Sequence, residues 1–237
     1  MAGGASLVFL HEGLGSVGLW RDFPERACAA AGGRAGFAYS RRGYGRSDPR
    51  PLPWPLDYME QEAALLPSVL AAAGISRAVL VGHSDGATIA LLAAAGSSGP
   101  EIDGVVALAP HVTVEAQNLA AIREIGERYA TTDLRARLGR HHDHVDVAFR
   151  GWHDSWTAPG FATWDIRPRL AGLTVPTVVV QGRSDPYGTV EQARFVVDST
   201  QGPTDVVLLA DCGHSPHVDR PAETLAAVSN LVARTSP

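Results

Sequence analysis

Six short apolar runs recur along the 237-residue chain: Ser6 to Leu10, Gly36 to Ser40, Ala78 to Gly82, Val105 to Ala109, Thr177 to Gln181 and Asp205 to Leu209. They are nearly continuous in apolar character rather than alternating. That pattern suits strands buried on both faces, as in a parallel sheet covered by helices. Helical patterns lie between them. Asp57 and Glu60 have the spacing of a capping box ahead of Met59, Ala63, Leu66 and Leu70, and Pro67 is expected to interrupt that helix with a kink or a break. Ala87 to Ala95 is small or apolar throughout, which predicts a helix buried on several sides. Asp219 and Pro221 open a last helix, Ala222 to Ala233. Strand and helix in alternation predict an α/β fold with a mostly parallel sheet of about six strands.

One stretch breaks this rhythm. His111 to Pro168 has no strand-like run and holds three of the five Trp and five of the nine His. It reads as a helical insertion. Pro49 to Pro55 reads as a stiff surface connection.

Composition excludes several classes. A hydrophobic share of 45% is enough for one large core or two small ones, and 19% charged residues argues against disorder. All 20 basic residues are Arg, against 25 acidic ones, for a net charge of −5. A mildly acidic chain with scattered Arg is not built for nucleic acid. The longest nearly apolar stretch, Ala87 to Gly96, is too short to span a bilayer. No Arg precedes Arg21, so the start lacks the positive region of a signal peptide, and Cys28 and Cys212 do not make a disulfide scaffold. A cytoplasmic globular protein is the expectation.

Two glycine motifs compete for the site. Gly13-Leu14-Gly15-Ser16-Val17-Gly18 follows the first strand in the pattern of a dinucleotide loop, and Arg41 and Arg42 after the second strand would suit the 2′-phosphate of NADP. Against this, Glu12 stands between strand and glycines and would repel a pyrophosphate. Gly82-His83-Ser84-Asp85-Gly86 lies between a strand and a helix, the context of a nucleophile elbow. Such a tight turn lifts the Ser hydroxyl above the sheet and leaves no space for side chains on either side. A Ser nucleophile needs a base, and the base an orienting acid. Asp185 follows the fifth strand and His214 the sixth, both at the carboxyl ends where open α/β sheets build sites.

These residues resemble the α/β-hydrolase superfamily over nearly the whole chain. LVFLHEGLGS is similar to the oxyanion strand and loop, YSRRGYGRSD to the turn after the next strand, LVGHSDG to the elbow, VVVQGRSDPYGT to the acid loop and ADCGHSPH to the histidine loop. The resemblance implies a core of residues 1–110 and 169–237 and a helical lid at 111–168. It implies Ser84 as nucleophile, His214 as general base and Asp185 as orienting acid, with the backbone N–H groups of Gly13 and Asp85 as the oxyanion hole. Glu12 and Asp85 stand where the superfamily usually has uncharged residues, and both are expected to point away from the oxyanion. The superfamily's usual first two strands are missing, which implies either a six-stranded sheet with an edge left exposed or covered in a homodimer, or a shortened N-terminus.

Other residues carry weaker signals. Glu12, Leu14, His111, Trp152 and Trp156 are candidates for the substrate pocket. Trp152 and Trp156, with Phe161 and Trp164, form either its roof or a small core of the lid; His111 is either a pocket residue or a hinge. His141, His142, Asp143, His144, Asp146 and His153 look like a metal cluster, but neighbouring His on a helix diverge, so a solvated lid face and no metal are expected. Arg41, Arg42 and Arg46 are expected in solvent, Tyr187 packed on the acid loop, Trp20 against the first helix, Cys28 in the core and Cys212 as a buried thiol. The functional expectation is a cofactor-free serine hydrolase acting on a small ester or related acyl compound. C–C bond cleavage or a lyase reaction by the same triad, and an NADP-binding oxidoreductase, are the alternatives.

Overall fold

The computed structural model describes residues 4–96 and 99–235. Six strands form one sheet: β1 (Ser6–Leu10), β2 (Gly36–Ala38), β3 (Arg77–His83), β4 (Glu101–Leu108), β5 (Thr177–Gly182) and β6 (Thr204–Leu209). Their order is β2-β1-β3-β4-β5-β6, and every pairing is parallel. The continuous apolar runs follow from this arrangement. In β1, Val8 and Leu10 face one core while Leu7 and Phe9 face the other. In β3, Leu80 and Val81 divide in the same way. Helices α1 (Phe23–Ala30) and α9 (Pro221–Thr235) cover one face. Helices α2 (Tyr58–Ala72), α3 (Asp85–Gly96) and α7 (Val190–Ser199) cover the other. α3 lies between the sheet and α2, and most of its residues are buried, as its uniform apolar sequence predicts.

Between β4 and β5 the chain forms α4 (Ala116–Thr131), α5 (Leu134–Leu138) and α6 (Val145–Thr157), then two short 3-10 turns. An antiparallel bridge between Thr113 and Asp165 ties the two ends of this excursion together. A four-residue helix, α8 (Pro216–Asp219), precedes α9.

Three local expectations need correction. The Asp57 side chain does not cap α2; it accepts a hydrogen bond from Gln61 Nε2. A capping box forms instead at the start of α4, between Glu115 and Asn118. α2 runs through Pro67 without a break. The proline-rich loop is not purely a surface connection, because Trp54 is buried against Tyr44 and Tyr58. Among the described residues no helix is long and apolar enough to cross a membrane.

Candidate active site

The carboxyl ends of β1, β3, β4, β5 and β6 meet along one rim of the sheet. At the end of β3 the chain reverses sharply into α3. Ser84 sits on that bend at φ +53°, a left-handed conformation that costs a non-glycine residue energy. The surroundings hold it there. Ser84 N–H donates to Leu108 O at 2.9 Å, and Ser84 O accepts from the N–H groups of Ala87 and Thr88. A Cβ on Gly82 would fall 2.3 Å from Gly86 O, and one on Gly86 would fall 2.0 Å from Leu10 O. Both flanking glycines are therefore required by the turn.

His214 and Asp185 reach Ser84 from the last two strands. His214 Nε2 lies 2.9 Å from Ser84 Oγ, and His214 Nδ1 donates to Asp185 Oδ2 at 2.8 Å. The carboxylate is fully engaged: Gln181 Nε2 also donates to Oδ2, while the N–H groups of Tyr187 and Gly188 donate to Oδ1. Burial works against the charge of Asp185, but the hydrogen bond and charge of His214 outweigh it and hold the carboxyl below its usual range.

The loop after β1 forms the opposite wall. A turn closes it, with Gly15 N–H donating to Glu12 O, and Leu14 stands at φ +60°. Trp152 of α6 packs on Gly13, where a Cβ would fall 2.2 Å from the indole nitrogen. Asp85 is the first residue of α3, so its N–H has no acceptor inside the helix.

Two acids flank this region, and each has a partner. Glu12 Oε2 faces His83 Nδ1 at 3.4 Å, and His83 Nε2 donates to His214 O at 2.7 Å. Burial disfavours both charges, but their hydrogen bond and mutual attraction prevail. Glu12 is held at about 2, and the pKa of His83 rises. Asp85 is buried, with Oδ2 accepting from Tyr58 Oη at 2.5 Å, and Tyr58 Oη in turn accepts from Trp156 Nε1 at 3.0 Å. Burial raises its pKa.

A cavity of about 140 Å³ opens over Ser84. All five candidate pocket residues, Glu12, Leu14, His111, Trp152 and Trp156, line it. The aromatic cluster thus divides: Phe161 and Trp164 stack on each other away from the cavity, and Trp164 Nε1 donates to Glu60. His111 is buried, and burial lowers its pKa to about 3. Tyr187 packs against His214 and lines the cavity as well, so it does more than pack the acid loop.

Two residues expected in solvent are buried. The backbone N–H of Arg41 donates to His11 Nε2, its Nη2 donates to the carbonyls of His11 and Glu12, and its guanidinium lies over Tyr44. It fastens the loop after β1 to the loop after β2. His142 is 3% exposed and bridges Gly45 and Leu14, while His141 and His144 stay exposed. Among the described residues, no group of His, Cys, Asp and Glu is arranged to hold a metal ion. The dinucleotide reading fails on geometry. The Glu12 carboxylate lies over Gly15, where a pyrophosphate would have to approach, and the loop leads into a four-residue 3-10 turn.

An all-parallel sheet with a strained serine elbow and Asp and His loops on the following strands defines an α/β-hydrolase architecture. The chain belongs to the alpha/beta hydrolase family, whose sequence profile matches residues 7–228. That family places it among hydrolytic enzymes. Est816, described as an N-acyl homoserine lactone degrading enzyme, is 25% identical with a TM-score of 0.71, over 96% of this chain and 93% of that one. The enol-lactonase of Burkholderia xenovorans is 19% identical with a TM-score of 0.73, over 98% and 92% of the two chains. A carboxylesterase structure from the thaumarchaeon Nitrososphaera gargenis is 16% identical with a TM-score of 0.76, over 98% and 91%. No curated protein matches the chain in sequence.

Proposed function

We propose that the protein is a serine hydrolase that cleaves a small ester or related acyl compound through an acyl-enzyme. The observation that carries this reading is the continuous chain from Ser84 Oγ to His214 Nε2 at 2.9 Å and from His214 Nδ1 to Asp185 Oδ2 at 2.8 Å. Donation from Nδ1 to the carboxylate fixes the tautomer, so the Nε2 lone pair faces the serine hydroxyl.

Ser84 Oγ attacks the carbonyl carbon as its proton passes to His214. The carbonyl oxygen becomes an oxyanion, held by the N–H groups of Asp85 and Gly13 and by the positive end of α3. Collapse expels the leaving group with the proton from His214. Water, deprotonated by His214, then releases the acid and restores Ser84. Glu12 and Asp85 do not oppose the oxyanion freely, because His83 and Tyr58 engage their carboxylates.

Residues 111–168 act as the lid, and Trp152 and Trp156 supply its apolar wall. The cavity of about 140 Å³ is small beside typical ligand pockets of about 300–1,000 Å³, which supports a small acyl group.

Labelling with a fluorophosphonate, located by mass spectrometry and run beside a panel of short-chain esters, tests the reading. A single adduct on Ser84, absent from Ser84→Ala, together with ester turnover is expected. An adduct without ester turnover would move the assignment to C–C cleavage or a lyase reaction. No adduct on the folded protein would overturn it.

A further inference from the structure

We propose that His142 is a positioning residue for the oxyanion side of the site, acting through the backbone carbonyl of Leu14. The proposal rests on the serine-hydrolase reading above. His142 lies just ahead of α6, far along the chain from the loop that it touches. Its Nδ1 accepts the N–H of Gly45 at 2.9 Å, and its Nε2 donates to Leu14 O at 2.9 Å. A backbone N–H only donates and a carbonyl only accepts, so the two contacts fix one neutral tautomer with the proton on Nε2.

The two contacts have separable consequences. The next residue, Asp143, donates its N–H to Gly45 O at 2.9 Å. Residues 142 and 143 therefore grip Gly45 from both sides, which fastens the 111–168 segment to the core. The bond to Leu14 ties the segment to the core at a second place. It reaches into the tight turn from Glu12 to Gly15, next to Gly13, the proposed oxyanion donor.

Leu14 stands at φ +60°, where a leucine is strained. Strain of that kind persists only where the surroundings enforce it. His142 Nε2 supplies a directed hold on the Leu14 carbonyl, and Trp152 packs on the neighbouring Gly13. Without the hold the turn can relax, and the change passes through Leu14 and Gly13 to the Glu12–Gly13 peptide, which carries the proposed donor N–H. The oxyanion forms only during reaction, so misalignment lowers kcat and leaves KM largely unchanged. Displacement by about 1 Å costs up to about 10²-fold in rate.

The test uses three substitutions in the full chain. Glutamine places an amide nitrogen near the position of Nε2 and still donates to Leu14. Asparagine places an oxygen near the position of Nδ1 and accepts from Gly45, but falls short of Leu14. Alanine makes neither contact. Turnover of a short-chain nitrophenyl ester is normalised to the protein that a fluorophosphonate titrates at Ser84, so unfolded molecules are not counted.

His142→Ala and His142→Asn are expected to lose about 10–10²-fold in kcat with KM changed by no more than about twofold, and His142→Gln to recover most of the loss. Wild-type kcat in His142→Asn would overturn the proposal and leave His142 as a fastener of the segment alone. Equal kcat losses in the Gln and Asn variants, or losses in KM alone, would overturn it too. Failure of the wild-type protein to label at Ser84 or to turn over ester would instead strike the hydrolase reading itself.

Discussion

Asp185 shows how completely one side chain can be committed. Its two oxygens receive hydrogen bonds from His214, Gln181 and the N–H groups of Tyr187 and Gly188. An amide in its place cannot accept on both sides, and it leaves His214 in the wrong tautomer. Asp185→Asn is expected to lower kcat by about 10⁴-fold, measured on any ester that the wild type turns over. Ser84→Ala, which removes only a hydroxyl, should lose at least as much without a fall in melting temperature. Cys212 invites a competing assignment, being two residues from His214. Burial and the charge of Asp219 push its thiol up to about 11, so it should resist iodoacetamide at pH 8 until the protein is unfolded, as counted by labelled mass. Ser84, Asp185 and His214, which the structure brings into one hydrogen-bonded chain, could be picked out in the sequence because each follows a strand and the proposed chemistry demands those residue types in order. His142 and Arg41 could not. Both belong to residue types that solvent usually claims, and what buries them lies 97 and 30 residues away in sequence. No local pattern encodes such a partner.

Elements were read from the sequence almost to their boundaries where burial is two-sided. β1, β3 and β5 fall within a residue or so of the apolar runs, because a strand covered on both faces has nothing but its core to satisfy; β6 matches its run too, but as an edge strand with Val206 and Leu208 exposed, so its apolar pattern overstates its burial. β2 is shorter than its run and β4 starts earlier, at Glu101, where side chains are exposed and apolar patterning gives no signal. The capping-box expectation failed at α2 for a different reason: Asp57 and Gln61, one turn apart, bond to each other in preference to the backbone. The packing of α6 turns on Gly151. Trp54 lies so close to it that a Cβ there would fall 2.0 Å from the indole ring. Gly151→Ala is therefore expected to destabilise by about 1–3 kcal/mol through overpacking, despite the better helix propensity of alanine. Thermal unfolding followed by circular dichroism checks this; an unchanged or raised melting temperature would show that Trp54 moves aside freely.

The molecule as a whole buries an unusual number of neutral imidazoles along one rim. Burial lowers His11, His111 and His217 to about 3, and it lowers His142 as well. In the unfolded chain the same groups titrate near 6.5. Their contribution to stability is thus present above that value and lost as pH falls toward 3, since only the unfolded state takes up the protons. Each fully discriminated group removes about 1.4 kcal/mol per pH unit. His83, raised by Glu12, does not oppose this below 6.5, because it is protonated in both states; Asp85, raised by burial, opposes it only in more acid solution. For a domain of ordinary stability the acid midpoint is expected at about pH 4–5.5, above the range that carboxylates alone would give. Melting temperatures measured from pH 7.5 down to 4 would show it, and a flat profile between pH 7 and 5 would mean that these rings gain their protons in the native state.

The excursion between β4 and β5 also divides the chain. Ser84 and the first four strands lie ahead of it, Asp185 and His214 beyond it, and only the short β4–β5 ladder, α3 and the surrounding packing hold the two parts of the sheet together. Gly139 and Arg140 sit exposed near the middle of that excursion. A backbone nicked at Arg140 would yield two polypeptides, one carrying Ser84 and the other Asp185 and His214, and under the proposed mechanism neither would turn over substrate alone. Turnover would then report how tightly the halves embrace, which makes the topology a ready-made fragment-complementation sensor.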